Sequence, residues 1–122
     1  MFYLAGPYKE FYLEDGDRVS LQDNIKAMRA EAQTLWLRGF PVFCPHLNTG
    51  EFEGDDKIYI EAYLNCLWRF DALVFDSYWK YSEGTKKEIR RMIAIGKPVY
   101  HYDDLSLGRI YDKTEEMRHV LY

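Results

Sequence analysis

Apolar residues fall along the chain in two alternating rhythms. Four short runs have strand length: Phe2–Ala5, Pro41–Cys44, Ala72–Phe75 and Lys97–His101. Between them lie stretches in which apolar positions recur every three or four residues. The clearest is 20–38, where Leu21, Ile25, Met28, Ala32 and Leu35 form one stripe, Ser20 and Asp23 suit an N-terminal cap, and Gly39 a stop. A second helix is expected over 57–69, with Ile60, Leu64 and Leu67 inward and Tyr63, Trp68 and Phe70 adding aromatic surface. A third spans 83–95, with Ile89, Met92 and Ile93 inward and Gly96 as its stop, and a short one lies near 113–120. The polar segments 9–19 and 46–56 read as loops, and 105–110 as a connector.

Strand and helix alternating with short connections predicts an α/β fold: a flavodoxin- or Rossmann-like parallel sheet of four to five strands, helices on both faces, in a single domain covering 1–122. Such sheets bind ligands beyond the carboxyl ends of their strands, where the strand order reverses. Three polar loops fall at that edge: Gly6–Lys9, His46–Asn48 and Asp76–Glu88. The last follows the buried run Asp71-Ala-Leu-Val-Phe-Asp76. Ser82 can cap the helix that begins there, Gly84 leaves its first turn open to close approach, and Glu88 lies one turn in, on the side of Gly84 and Thr85. Taken alone, Glu88 reads rather as a solvated helix glutamate paired with Arg91.

Composition narrows the class. At 48% hydrophobic and 30% charged the chain is globular. A net charge of −4 argues against a nucleic-acid polymer as partner. No stretch reaches the roughly 20 apolar residues of a membrane span, and no signal peptide is expected at the start. Cys44 and Cys66 make no metal-ligand spacing and are expected to be reduced and half-buried in a cytoplasmic protein; no cofactor or metal is called for.

Several segments in order carry a resemblance: Leu4-Ala-Gly-Pro-Tyr8, a first helix containing Asn24, Gly39-Phe-Pro-Val-Phe-Cys-Pro45, Phe70-Asp-Ala-Leu-Val-Phe75, Ser82-Glu-Gly-Thr-Lys-Lys-Glu88 and Gly96-Lys-Pro-Val99. From residue 2 to about residue 100 the chain resembles the nucleoside 2-deoxyribosyltransferase-like superfamily, and within it a small branch carried by phages and bacteria. That resemblance implies cleavage or transfer at the N-glycosidic bond of a deoxynucleoside or its 5′-monophosphate, in a homodimer or larger homo-oligomer. Glu88 matches the nucleophile by motif position. Ala5, Gly6, Pro7 and Tyr8 match the loop lining sugar and base, and Ser82, Gly84 and Thr85 the positions holding sugar hydroxyls or a phosphate. His46 sits where a substrate could meet it, and Tyr78, Trp79 and Tyr81 are candidates to stack on a base. Family members carry an aspartate eight residues before the third strand's first acid, where this chain has Tyr63; Glu61 and Asp76 are then the candidates to protonate the leaving base. Two rival functions remain: a nucleotide-binding module without chemistry, and a hydrolase or sequestering protein for NAD-like nucleotide derivatives.

Overall fold

The computed structural model describes residues 1–50 and 52–122, and residue 56 by its backbone alone. Four strands, β1 (Phe2–Ala5), β4 (Val42–Phe43), β5 (Ala72–Phe75) and β6 (Val99–His101), form one sheet in the order β4-β1-β5-β6. All three pairings are parallel, and β1 lies in register with β5 from Phe2 opposite Ala72 to Ala5 opposite Phe75. Because β1 and β5 have neighbours on both sides, their runs are buried almost throughout, as the unbroken apolar stretches require. The chain moves outward from β1 to β4 and then crosses back to β5, so the strand order reverses between β1 and β5.

Side chains alternate across that sheet and divide the core in two. Leu4 and Val74 point to one face, where they meet Met28, Ala32 and Leu35 of α1 (Leu21–Leu37) and Leu105 of α5 (Tyr102–Ser106). Tyr3, Ala5, Leu73 and Phe75 point to the other, against α3 (Asp56–Cys66), α4 (Glu83–Ala94) and α6 (Thr114–Leu121). The Rossmann-like α/β architecture in one domain agrees with the sequence pattern. The Ser20 cap is a full capping box: the Ser20 hydroxyl accepts the Asp23 N–H, and the Asp23 carboxylate accepts the Ser20 N–H.

Three segments differ from expectation. The stretch 9–19 is no plain loop but a small antiparallel ribbon, β2 (Phe11–Tyr12) paired with β3 (Arg18–Val19). Its turn contains Gly16 at φ 92, a conformation the Asp15-Gly16 pair supplies readily. Pro45–Thr49 is a short helix, α2, because Pro45 at its first position has no N–H to satisfy. Gly50 ends it: a Cβ there would stand 2.1 Å from the His46 carbonyl oxygen. Glu51, within the expected loop 46–56, lies outside the described residues. The connector near 105 also begins as helix α5, capped by the His101 ring nitrogen.

The cysteines are not half-buried. Cys44 is buried, with its thiol pushed up to about 12 by desolvation, and Cys66 is exposed; both are free thiols. No helix among the described residues is long and apolar enough to cross a membrane.

Candidate active site

A cavity of about 500 Å³ opens beyond the carboxyl end of β1, on the face of the sheet covered by α3 and α4. Three loops build its wall. Ala5, Gly6 and Tyr8 come from the end of β1, His46, Thr49 and Gly50 from α2, and Ser82, Gly84, Thr85 and Glu88 from the start of α4. Ile60 and Tyr63 of α3 close one side, and Lys57 and Lys87 bring positive charge to it.

Glu88 reaches the cavity because α4 starts with Ser82 as cap and turns once before position 88. The Ser82 oxygen accepts the Thr85 N–H at 3.1 Å and the Thr85 hydroxyl at 3.0 Å, which fixes the first turn and leaves the Ser82 O–H available to a ligand. N–H groups of a helix's first turn have no partner within the helix, so this end presents donors and a positive dipole to the cavity. The absent side chain at Gly84 keeps that approach open, its nearest neighbour being Ile60 Cδ1 at 3.7 Å from a Cβ placed there.

The Glu88 carboxyl is hydrogen-bonded by the hydroxyl of Tyr3, a fully buried residue of β1. Desolvation pushes Glu88 up to about 8, and the Tyr3 hydrogen bond works against that rise by favouring the anion. Burial, reinforced by the nearby Glu88 charge, holds Tyr3 well above the usual phenol range, so Tyr3 stays a donor. Tyr3 itself is wedged among Phe70, Phe43 and Tyr63, with ring centroids 5.2, 6.0 and 6.3 Å away. Sequence inspection did not single out Tyr3. Its signal is a phenol in the middle of an otherwise apolar central strand, three residues before the loop.

His46 is a brace. Its Nε2 lies 2.6 Å from the Pro7 carbonyl, which can only accept, so Nε2 carries the proton and Nδ1 faces the Cys44 thiol at 3.8 Å. Desolvation lowers its pKa, and the ring is held neutral between α2 and the β1 loop. Asn24 braces the same loop from α1, donating to the carbonyls of Tyr8 at 3.2 Å and Lys9 at 2.9 Å. The Tyr8 hydroxyl donates to the Gly50 carbonyl, tying the β1 loop to the end of α2.

Not every expected residue meets Glu88. Asp76 follows Phe75 in the alternation and so points to the opposite face of the sheet, into a second cavity of about 230 Å³ walled by α1 and α5. There it meets Glu31, whose pKa burial and a hydrogen bond with the Asp76 carboxylate push up to about 10; Oε2 of Glu31 has no partner among the described residues. Glu31 stands in the apolar stripe of α1, three residues after Met28 and four before Leu35, which is the sequence signal for its burial. Glu61 is exposed on α3 and takes no part in the main cavity's wall. Pro7 lines the second cavity and contributes to the first through its carbonyl bond to His46. Of the aromatic loop, Tyr81 alone reaches the main cavity, stacked on Phe11 at 4.8 Å. Trp79 packs on Phe75 in the core, and Tyr78 faces the second cavity.

Gly6 stands between the two cavities. A Cβ there would lie 2.6 Å from Met28 Sδ and 3.0 Å from Asp76 Cβ, so a side chain at this strand end would have to push the Met28 thioether aside. No group of histidine, cysteine and carboxylate side chains suited to a metal ion occurs among the described residues. No protein-family model matches the chain, and no curated protein matches it.

Proposed function

We propose that this protein cleaves or transfers at the N-glycosidic bond of a deoxynucleoside or deoxynucleoside 5′-monophosphate, with Glu88 as the nucleophile toward the anomeric carbon. The observation that carries the reading is the Glu88 carboxyl, aimed into a cavity of nucleoside size and held by the Tyr3 hydroxyl. Opening an N-glycosidic bond leaves an oxocarbenium-like sugar, which an adjacent carboxylate stabilises or traps as an ester. Desolvation raises the energy of the free carboxylate, and a developing positive charge at the sugar offsets that penalty as the bond opens. The open N-terminus of α4 and Lys87 support an anionic group, such as a 5′-phosphate, on the same wall.

Incubation with each deoxynucleoside and its 5′-monophosphate, followed by chromatography of the free base, is the test. Glu88→Gln is expected to lower base release by roughly 10³-fold or more while remaining folded. Equal release by wild type and variant would overturn the assignment. Ligand-induced thermal stabilisation without release from any substrate would favour the binding-module reading.

The same reading makes the working unit a homodimer in the cytoplasm. Phe52, exposed at 60% on the cavity wall, and Leu47 and Ile58, exposed at 43% and 66% and next in sequence to the lining residues His46 and Lys57, support a second copy at its mouth. Sedimentation at micromolar concentration should give twice the chain mass, and a monomer under those conditions would reject the dimer.

A further inference from the structure

The main cavity contains a second polar array, apart from Glu88 and the start of α4. It lies where the end of α2 meets the middle of α3. The Asn48 amide donates to the Tyr63 hydroxyl at 3.3 Å, and the Tyr63 and Thr49 hydroxyls are 2.6 Å apart. Asn48 Nδ2 can only donate, so the Tyr63 oxygen accepts there and the phenol proton is free to point at Thr49. Either hydroxyl can donate in that pair, and with the phenol donating Thr49 accepts through its oxygen. Its hydroxyl makes no other hydrogen bond among the described residues, and Thr49 and Tyr63 both line the cavity. In that arrangement the Thr49 proton is a donor left over, polarised by the two hydrogen bonds behind it.

The array is held rigidly. The Tyr63 ring packs against Phe43 at 5.9 Å and Tyr3 at 6.3 Å, and Tyr3 is the residue that binds Glu88. Two neighbouring tyrosines thus each position one group at the cavity: a carboxyl through Tyr3 and a neutral hydroxyl donor through Tyr63.

Resting on the reading of Glu88 above, we propose that the Thr49 hydroxyl, oriented by Tyr63, binds the leaving base at an acceptor atom that gains charge as the glycosidic bond opens. In the first step the C1′–N bond breaks with its electron pair going to the base, while a Glu88 oxygen bonds to C1′. The base departs as an anion hydrogen-bonded by Thr49 and takes its proton from water. In the second step water or another base attacks C1′ and gives its proton to the hydroxide left by the first step, the ester bond breaks, and the carboxylate is restored. A neutral hydroxyl does not give up its proton in this sequence. The preferred substrates are therefore those whose bases delocalise the charge onto a carbonyl oxygen, hypoxanthine, guanine and the pyrimidines, over adenine, which has none.

The experiment compares wild type, Thr49→Val, Thr49→Ser and Tyr63→Phe on 2′-deoxyinosine, 2′-deoxyadenosine and their 5′-monophosphates. Thr49→Val is expected to lower kcat on the inosine substrates about 10²-fold, with KM changed less than about threefold, because the bond strengthens as charge develops. Thr49→Ser should restore most of the rate, and Tyr63→Phe should fall between. Wild type and Thr49→Val should both show one ascending pH limb near 8, with no descending limb below pH 9. Unchanged kcat in Thr49→Val, failure of serine to rescue, no preference for inosine over adenosine, or a descending limb in that range would each overturn the proposal. If wild type releases no base at all, the Glu88 reading fails, and calorimetric binding of free hypoxanthine decides the Thr49 contact separately. Binding about tenfold weaker in Thr49→Val but not in Thr49→Ser upholds that contact, whereas equal binding in both or none in wild type rejects it.

Discussion

The Tyr3 hydroxyl and the Glu88 carboxyl make opposed demands on one proton. Burial favours the neutral acid, and the phenol donor favours the anion. Removing the donor should therefore raise the Glu88 pKa above about 8 and shrink the ionised fraction at neutral pH. Tyr3→Phe is expected to move the ascending limb of kcat/KM to higher pH by about one unit and to lower activity at pH 7 about tenfold, with partial recovery at pH 9. A pH–rate profile with an unmoved limb would show that Tyr3 acts only in packing. At the same scale, Asp76 shows what single-residue reading misses. A residue's distance along the chain from Glu88 says nothing about which face of a strand it occupies, and one step past Phe75 put Asp76 behind the sheet.

Among the elements, the long ones were legible and the short ones were not. Helix α1 carries five apolar residues at helical spacing and a capping box, and periodicity over so many turns is hard to mistake. The two-residue strands β2 and β3 and the five-residue helices α2 and α5 hold too few positions for any rhythm to show. They form because their neighbours supply partners. Phe11 of β2 is buried against Tyr81, and α2 is fixed through the His46–Pro7 and Tyr8–Gly50 bonds. The cleft at the strand ends could be read from topology alone. The Asn48–Tyr63–Thr49 array could not, because it joins residues fourteen or more positions apart on two helices through side-chain polar atoms. Only the Glu88 side of the site had a local sequence pattern, the cap and open turn at Ser82–Gly84 leading to it.

For the whole molecule, two desolvated carboxyls set how stability varies with pH. Glu88 and Glu31 bind their protons more tightly in the fold, at about 8 and about 10, than in the unfolded chain. Folding takes up protons in that window. The stability they contribute is complete below the ordinary carboxyl range and is lost as pH rises toward 8 and 10. His46 acts in the opposite sense: its lowered pKa removes stability as pH falls through the usual histidine range. The two carboxyls should dominate above pH 7. Tm is expected to fall by roughly 5–10 °C from pH 6 to pH 9, and Glu31→Gln should flatten that decline. Calorimetry across the range reads both, and a Tm that rises over it would rule out neutral carboxyls at these positions.

The register of the central strands bears on how the chain is made. Phe2 of β1 lies opposite Ala72 of β5, seventy positions later, and β4 offers β1 only two pairing residues in the meantime. At a synthesis rate of about 5–20 residues per second, β1 waits roughly 4–14 s for its principal partner. Throughout that interval the apolar Phe-Tyr-Leu-Ala segment has an unpaired edge, a template for pairing with other nascent chains. The ribosome and its chaperones thus meet the centre of this sheet well before the strand that completes it.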